Sequence, residues 1–313
     1  MQKANHSVTE FILLGFQEPP KHSPILFTVF LVMYLLALAG NSTIIFIIRM
    51  DTHLHTPMYF FLSILSCVDI CLTTCTVPKL LASIFVEKKS ISFHGCFLQL
   101  HFFTTFGNMT GFMLAIMAVD RYLAISRPLH YAMLMSKAVR TRLVAGSWIL
   151  VSLHAGTHSV MAARLSYCGS NEIHYYFCDL PPLFKLSCSD TSLNELLLLT
   201  EATVFLMSPC LCITISYILI IITICRMPST EGRYKAFSTC SSHLTAVVLN
   251  YGPVLYTYIR PASAYSLEKD LIISVLYSVV NSMLNPFVYS IRNNEFKGAF
   301  KRVLSKIISF WNK

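Results

Sequence analysis

MAVDRYLAISRPLHY, residues 117–131, decides the fold. An acid and a base, Asp120 and Arg121, stand side by side at the end of a long apolar run, and Arg127, Lys137, Arg140 and Arg142 follow. The chain as a whole is 55% hydrophobic and only 12% charged. Charge gathered at one end of an apolar run marks the place where a helix leaves hydrocarbon for water, because a long cationic side chain there reaches the interface at modest cost.

Runs of this kind recur on both sides. A helix needs about 20 residues to cross about 30 Å of hydrocarbon. Seven stretches qualify, near 25–48, 57–83, 97–120, 143–163, 196–225, 236–258 and 271–291. A mean hydropathy of +0.60 argues against a water-soluble protein. The expected fold is an all-α membrane protein, a seven-transmembrane helix bundle. Residues 1–24 form an N-terminal segment, 25–291 the spanning domain and 292–313 a tail. No cleavable leader is expected, since FILLGF at 11–16 is too short for one and acids and prolines follow it.

Orientation follows from lysine and arginine, which accumulate on the cytoplasmic side. The first, third and fifth loops and the tail hold fifteen of them, the opposite side holds eight, and Lys79 lies inside the second span. The N-terminus is therefore expected outside and the tail inside. The net charge of +9 then reads as attraction to anionic inner-leaflet lipid rather than to nucleic acid. Asn5-His6-Ser7 is a glycosylation sequon on the predicted outer side. Cys96, Cys168, Cys178 and Cys188 fall in outer segments, where disulfides persist, and spacing alone leaves three pairings open. In the tail, Phe296, Phe300, Val303, Ile307 and Trp311 recur at helical spacing with Lys297, Lys301, Arg302 and Lys306 between them. That pattern predicts a short amphipathic C-terminal helix lying on the inner leaflet. No nucleophile–base constellation, phosphate-cradling glycine loop or metal-spaced cluster points to an enzyme, a cofactor or a metal. The internal repeats expected of a transporter, the serious rival from another class, are not found.

With these features in hand, residues 117–131 resemble the Asp-Arg-Tyr motif that ends the third helix of rhodopsin-like (class A) G-protein-coupled receptors. More narrowly, the chain resembles the olfactory receptors. The likeness rests on FILLGF at 11–16, Gly40-Asn41, PMYFFLS at 57–63, KAFSTCSSHL at 235–244 and LNPFVYSIRN at 284–293, together with the long segment near 164–194. Other positions depart from the family pattern. Val119 stands where Tyr is usual, Ser126 where Cys is, Asn250 where Phe is, and Ser282 where Pro is. Thr110 replaces a frequent glutamate, so no acidic pair forms with Asp69.

The resemblance implies disulfides Cys96–Cys178 and Cys168–Cys188, each limiting the unfolded chain by about 2–4 kcal/mol. It implies that Asp120 and Arg121 form a resting pair, and that Arg121 then meets the α subunit of a stimulatory-type heterotrimeric G protein and so raises cAMP. Tyr217, Asn285, Pro286 and Tyr289 would take part in the switch, and Asn41, Asp69, Thr110 and Asn281 would form a polar network able to hold a sodium ion or water. A small-molecule odorant, volatile and mostly apolar, would sit among Phe103, Thr104, Gly107, Asn108, His158, Glu201, Phe205, Tyr251, Val254, Leu255, Tyr258 and Ser278. Tyr251 occupies a switch position, where its hydroxyl would change partners when ligand arrives. Phe103 stands where amine receptors carry an aspartate, which disfavours amines. Tyr175 stands where some family members carry a loop histidine, so no metal is expected there. The remaining alternative is a rhodopsin-like receptor for a peptide or lipid.

Overall fold

Short helical turns and a run of long rods carry most of the described residues. The computed structural model describes residues 8–16, 23–86, 89–259 and 267–311. In order they form β1 (Glu10–Leu13), α1 (Ser23–Met50), α2 (Pro57–Ile84), β2 (Ser90–Ser92), α3 (Phe93–Ser126), α4 (Tyr131–Leu134), α5 (Lys137–Ala163), β3 (Glu172–Ile173), α6 (Leu180–Leu186), α7 (Ser192–Ala202), α8 (Ser208–Arg226), α9 (Thr230–Ile259), α10 (Leu267–Val275), α11 (Asn281–Arg292) and α12 (Asn294–Trp311). Single π turns, Thr203–Met207 and Leu276–Val280, join α7 to α8 and α10 to α11.

Among the described residues, five helical stretches are long and apolar enough to cross a membrane: Ser23–Met50, Pro57–Ile84, Phe93–Ser126, Ser192–Arg226 and Lys269–Ser290. The fourth and sixth expected spans, which fall in α5 and α9, do not reach that hydropathy. α5 opens on Lys137, Arg140 and Arg142 and carries His154 and His158, while α9 opens on Glu231, Arg233 and Lys235. Both are full-length helices of 27 and 30 residues packed within the same bundle.

Helix starts follow ordinary capping chemistry. Ser92 Oγ accepts from the Gly95 amide at 3.1 Å to begin α3. Pro57 sits at the first turn of α2, where its missing N–H costs nothing. α3 is the central rod, packed against α2, α5, α8 and α9. Its buried Met109, Met113, Leu114 and Met117 meet Tyr217, Tyr251 and Tyr289 in the main core.

The purely helical expectation needs a correction at one end. β1 lies between β2, to which it is antiparallel, and β3, to which it is parallel. The first three residues of FILLGF belong to a strand: Phe11 and Leu13 are buried while Glu10 and Ile12 face the other way, the period-two pattern of a half-covered strand. Phe11 packs on Phe93, Phe97 and Tyr167, with centroids 5.9, 6.3 and 5.3 Å away. Gly15 then turns the chain with φ +57°, a conformation glycine adopts without strain. Cys96 is bonded to Cys178 and Cys168 to Cys188 at this same end.

Candidate functional site

At the end opposite the sheet, Asp120 and Arg121 are both buried, 1% and 5% exposed. Asp120 Oδ1 accepts from the hydroxyl of Tyr131, on α4, at 2.8 Å. Burial, with the neighbouring carboxylate next in effect, holds the Tyr131 hydroxyl above the usual tyrosine range, so it stays a donor. Arg140 of α5 lies 5.2 Å above the ring of Phe60, which joins α5 to the PMYFFLS stretch.

Tyr217, on α8, is held by a residue that the sequence reading did not single out. Its hydroxyl lies 2.7 Å from Nδ1 of His243 and 3.3 Å from the Cys240 carbonyl, while His243 Nε2 lies 3.0 Å from the carbonyl of Leu114. A carbonyl only accepts, so Nε2 carries the ring proton and Nδ1 accepts a hydrogen bond from the Tyr217 hydroxyl. One fully buried imidazole thereby ties α8, α9 and α3 together. Tyr289 is also buried, and its hydroxyl has no hydrogen-bond partner among the described residues.

Midway along the bundle, Asp69 accepts from Ser282 Oγ at 3.1 Å and Asn285 Nδ2 at 2.8 Å. Asn41 Nδ2 donates to the carbonyls of Ala37 at 2.9 Å and Ser282 at 3.0 Å. Asn41, Asp69, Ser282 and Asn285 therefore form one knot. The other two expected members bond elsewhere: Thr110 Oγ1 donates to Phe106 O in its own helix, and Asn281 Nδ2 to Asn250 Oδ1. Both carboxylate oxygens of Asp69 are already used by protein donors. Each Asp69 oxygen accepts one protein donor, and the side-chain oxygens of Asn41 and Asn285 are buried with no hydrogen-bond partner among the described residues.

Towards the sheet end, the predicted ligand residues fall into three groups. Asn108, His158 and Phe205 come together around His154: Asn108 Nδ2 lies 3.1 Å from His154 Nδ1, Phe205 stacks on that ring at 3.9 Å, and His158 meets it edge-on at 4.8 Å. Tyr251 Oη donates to the Gly111 carbonyl at 3.1 Å. Thr104, Gly107, Val254 and Leu255 are half-buried nearby, with no atom within 4 Å of where a Gly107 side chain would begin.

Phe103 and Ser278 form the third group, and the chain's own long loop covers them. Phe177 packs on Phe103 at 4.5 Å, and Tyr176 Oη lies 2.7 Å from Ser278 Oγ. Sequence reading missed this plug because nothing in YYFC distinguishes a lid residue from one inserted between helices. The side chains of Glu201 and Tyr258, and all of Asn5, lie outside the described residues. A small pocket does open at the sheet end, lined by Leu14, Gly15, Leu26, Leu80, Lys89 and Tyr176 among others, and none of the predicted ligand residues lines it.

The amphipathic α12 is anchored at two points. Arg302 Nε and an Nη lie 2.8 and 2.7 Å from Asp51 Oδ2, and Tyr59 donates to Glu295 at 3.2 Å while accepting from Asn293 at 2.9 Å. Burial works to raise the Asp51 carboxyl, but hydrogen bonds from His53 and Arg302 outweigh it and hold the group at about 2. The mark was visible in sequence only in part: Tyr59 belongs to PMYFFLS, but its partner is 236 residues away.

Comparison with known proteins places this geometry. A family model described as olfactory receptor matches residues 30–307. Olfactory receptor 1f45 of Rattus norvegicus is 49% identical over 299 residues, covering 96% of each chain. Olfactory receptor 1F1 of Homo sapiens is 48% identical over 302 residues, 96% of this chain and 97% of its own. Olfactory receptor 1M1 of Mus musculus is 48% identical over 310 residues, 99% of each. A bundle closed over a buried arginine, matched along nearly its full length, belongs to the olfactory receptor family, whose members are multi-pass membrane receptors coupled to G proteins and not enzymes.

Proposed function

We propose that the chain is a seven-span odorant receptor that couples a small, weakly polar volatile to a stimulatory-type G protein and so raises cAMP. The same reading divides it into an extracellular segment 1–24, a receptor domain 25–291 and a cytoplasmic tail 292–313. Exposed Ile149, Leu153 and Val160 on α5 and Val248 and Tyr256 on α9 support the two less apolar spans, since such side chains suit a lipid-facing surface. The sheet end faces outward and the Arg121 end faces the cytosol, in keeping with the charge bias.

The observation that carries the reading is the burial of Arg121 in a bundle whose α8 and α9 are held to α3 through His243. A guanidinium shut away in this form becomes a planar five-donor group for a partner's backbone carbonyls once those helices part. Ligand binding among Asn108, His158, Phe205 and Tyr251 would supply the differential affinity that such a shift requires. Asp69 and its partners act as the structural hinge knot between the two ends.

Arg121→Ala tests the coupling. In cells carrying a cAMP reporter and screened with an odorant panel, the variant is expected to lose agonist-evoked cAMP while surface expression stays near normal. Full signalling by the variant overturns the assignment. Glycosidase treatment tests orientation, with a mobility shift that disappears in Asn5→Gln as the expected result.

A further inference from the structure

We propose that Gly111 is a positioning residue whose missing side chain forms the slot in which the Tyr251 hydroxyl docks, so that its emptiness biases the bundle towards the closed state. The proposal rests on the reading of Tyr251 as the ligand-sensing switch.

The geometry is specific to this position. A Cβ placed at Gly111 would lie 2.9 Å from Tyr251 Oη and 3.6 Å from Cζ. The same residue supplies the carbonyl to which Tyr251 donates at 3.1 Å. Gly111 therefore provides both the acceptor and the space needed to reach it. Glycine is unfavourable in a helix interior, and at Gly107, one turn away, nothing lies within 4 Å of a built Cβ. The contact, not the local helix, accounts for the glycine at 111.

The consequence reaches the far end of α9. His243 and Tyr251 are eight residues apart and face α3 together, bonding its Leu114 and Gly111 carbonyls. Cys240, less than a turn from His243, is 4% exposed while these two bonds hold α9 against α3. A methyl group at 111 pushes the Tyr251 hydroxyl off its acceptor and leaves the His243 bond as the remaining one of these two ties between α9 and α3. The tyrosine is 5% exposed and tightly packed, so the ring cannot yield without moving its helix.

The test is a double-mutant cycle read in two ways. Gly111→Ala is expected to raise ligand-independent cAMP on the order of tenfold, the scale of an overpacked core methyl. In the Tyr251→Phe background the oxygen is gone and the ring carbon sits at ordinary contact distance, so Gly111→Ala is expected to add nothing further. Gly146→Ala, a lipid-side glycine with open space around it, controls for helix propensity and should leave basal cAMP unchanged.

The second readout does not depend on signalling. With Cys67, Cys71, Cys75, Cys210, Cys212 and Cys225 replaced by alanine, maleimide labelling of the remaining thiol, Cys240, reports opening of α9. Gly111→Ala should speed that labelling, and Tyr251→Phe should cancel the difference. An unchanged labelling rate, or an equal effect of Gly111→Ala with and without the Tyr251 hydroxyl, overturns the slot. Labelling that responds while no odorant evokes cAMP from any variant upholds the slot and refutes the coupling reading instead.

Discussion

The side-chain amide of Asn41 donates to the main-chain oxygen of Ser282 at 3.0 Å. Ser282 is four residues before Pro286, so its carbonyl is the one that proline leaves without a helical donor. A side chain from α1 therefore repairs the break that a residue in α11 creates. Gly40, its neighbour, lets the helices approach closely, since a Cβ there would lie 2.9 Å from the Pro286 ring.

Replacing Asn41 by alanine strands this buried carbonyl, and the expected loss is about 1–3 kcal/mol. Thermal unfolding of the detergent-solubilised receptor checks it. A midpoint unchanged from wild type would show that the carbonyl needs no partner.

His243→Phe keeps the bulk of the ring and removes both of its hydrogen bonds. Tyr217 and the Leu114 carbonyl lose their shared partner, and ligand-independent cAMP should rise several-fold. Because the change acts on the closed state, an odorant's half-maximal concentration should also fall. Constant basal signalling at equal surface expression refutes this role for His243.

The contrast between Tyr217 and His243 shows how much could be read in advance. Long apolar runs, the Asp-Arg-Tyr stretch and the basic loops announce the rods and their order, because each signal is local and periodic. The helices extend past the expected spans, as α3 does from 97–120 to Phe93–Ser126, because polar residues continue a helix beyond an apolar window. His243, Tyr131, Tyr59 and Phe177 were not legible, since each acts through a partner on another element. FILLGF was read as a motif without a conformation: its period-two burial depends on strands from two distant loops.

Phe177 fills the space between α3 and the π turn following α10, where it packs on Phe103. Phe177→Ala should open space beside Phe103 and shift potency towards bulkier odorants, with the smallest agonists losing most. Dose–response curves over a homologous series of ligands measure this. An unaltered rank order would place Phe177 outside the ligand site.

The contact between Arg302 and Asp51 should be insensitive to pH over the physiological range. The carboxyl is held below its ordinary value of 3.8, so its contribution is complete above about pH 4 and fades as pH falls through about 2. A spin label on Ser305→Cys, with exposed Cys67 and Cys225 removed, should show constant mobility from about pH 8 to 5. The same label should be mobile at every pH in Arg302→Ala. Equal mobility with and without Arg302 would mean that Tyr59 and Asn293 alone dock α12.

The strand at Glu10–Leu13 waits for neighbours made long after it. Asn171 Nδ2 reaches Glu10 O at 2.9 Å across 161 residues of chain. β2 is made within the first third of the polypeptide, but β3 and Asn171 follow only after more than half of it has been laid into the bilayer. The three-stranded cap therefore cannot close until β3 is made, and a fusion joined directly ahead of Phe11 would hinder assembly after β2 rather than before it.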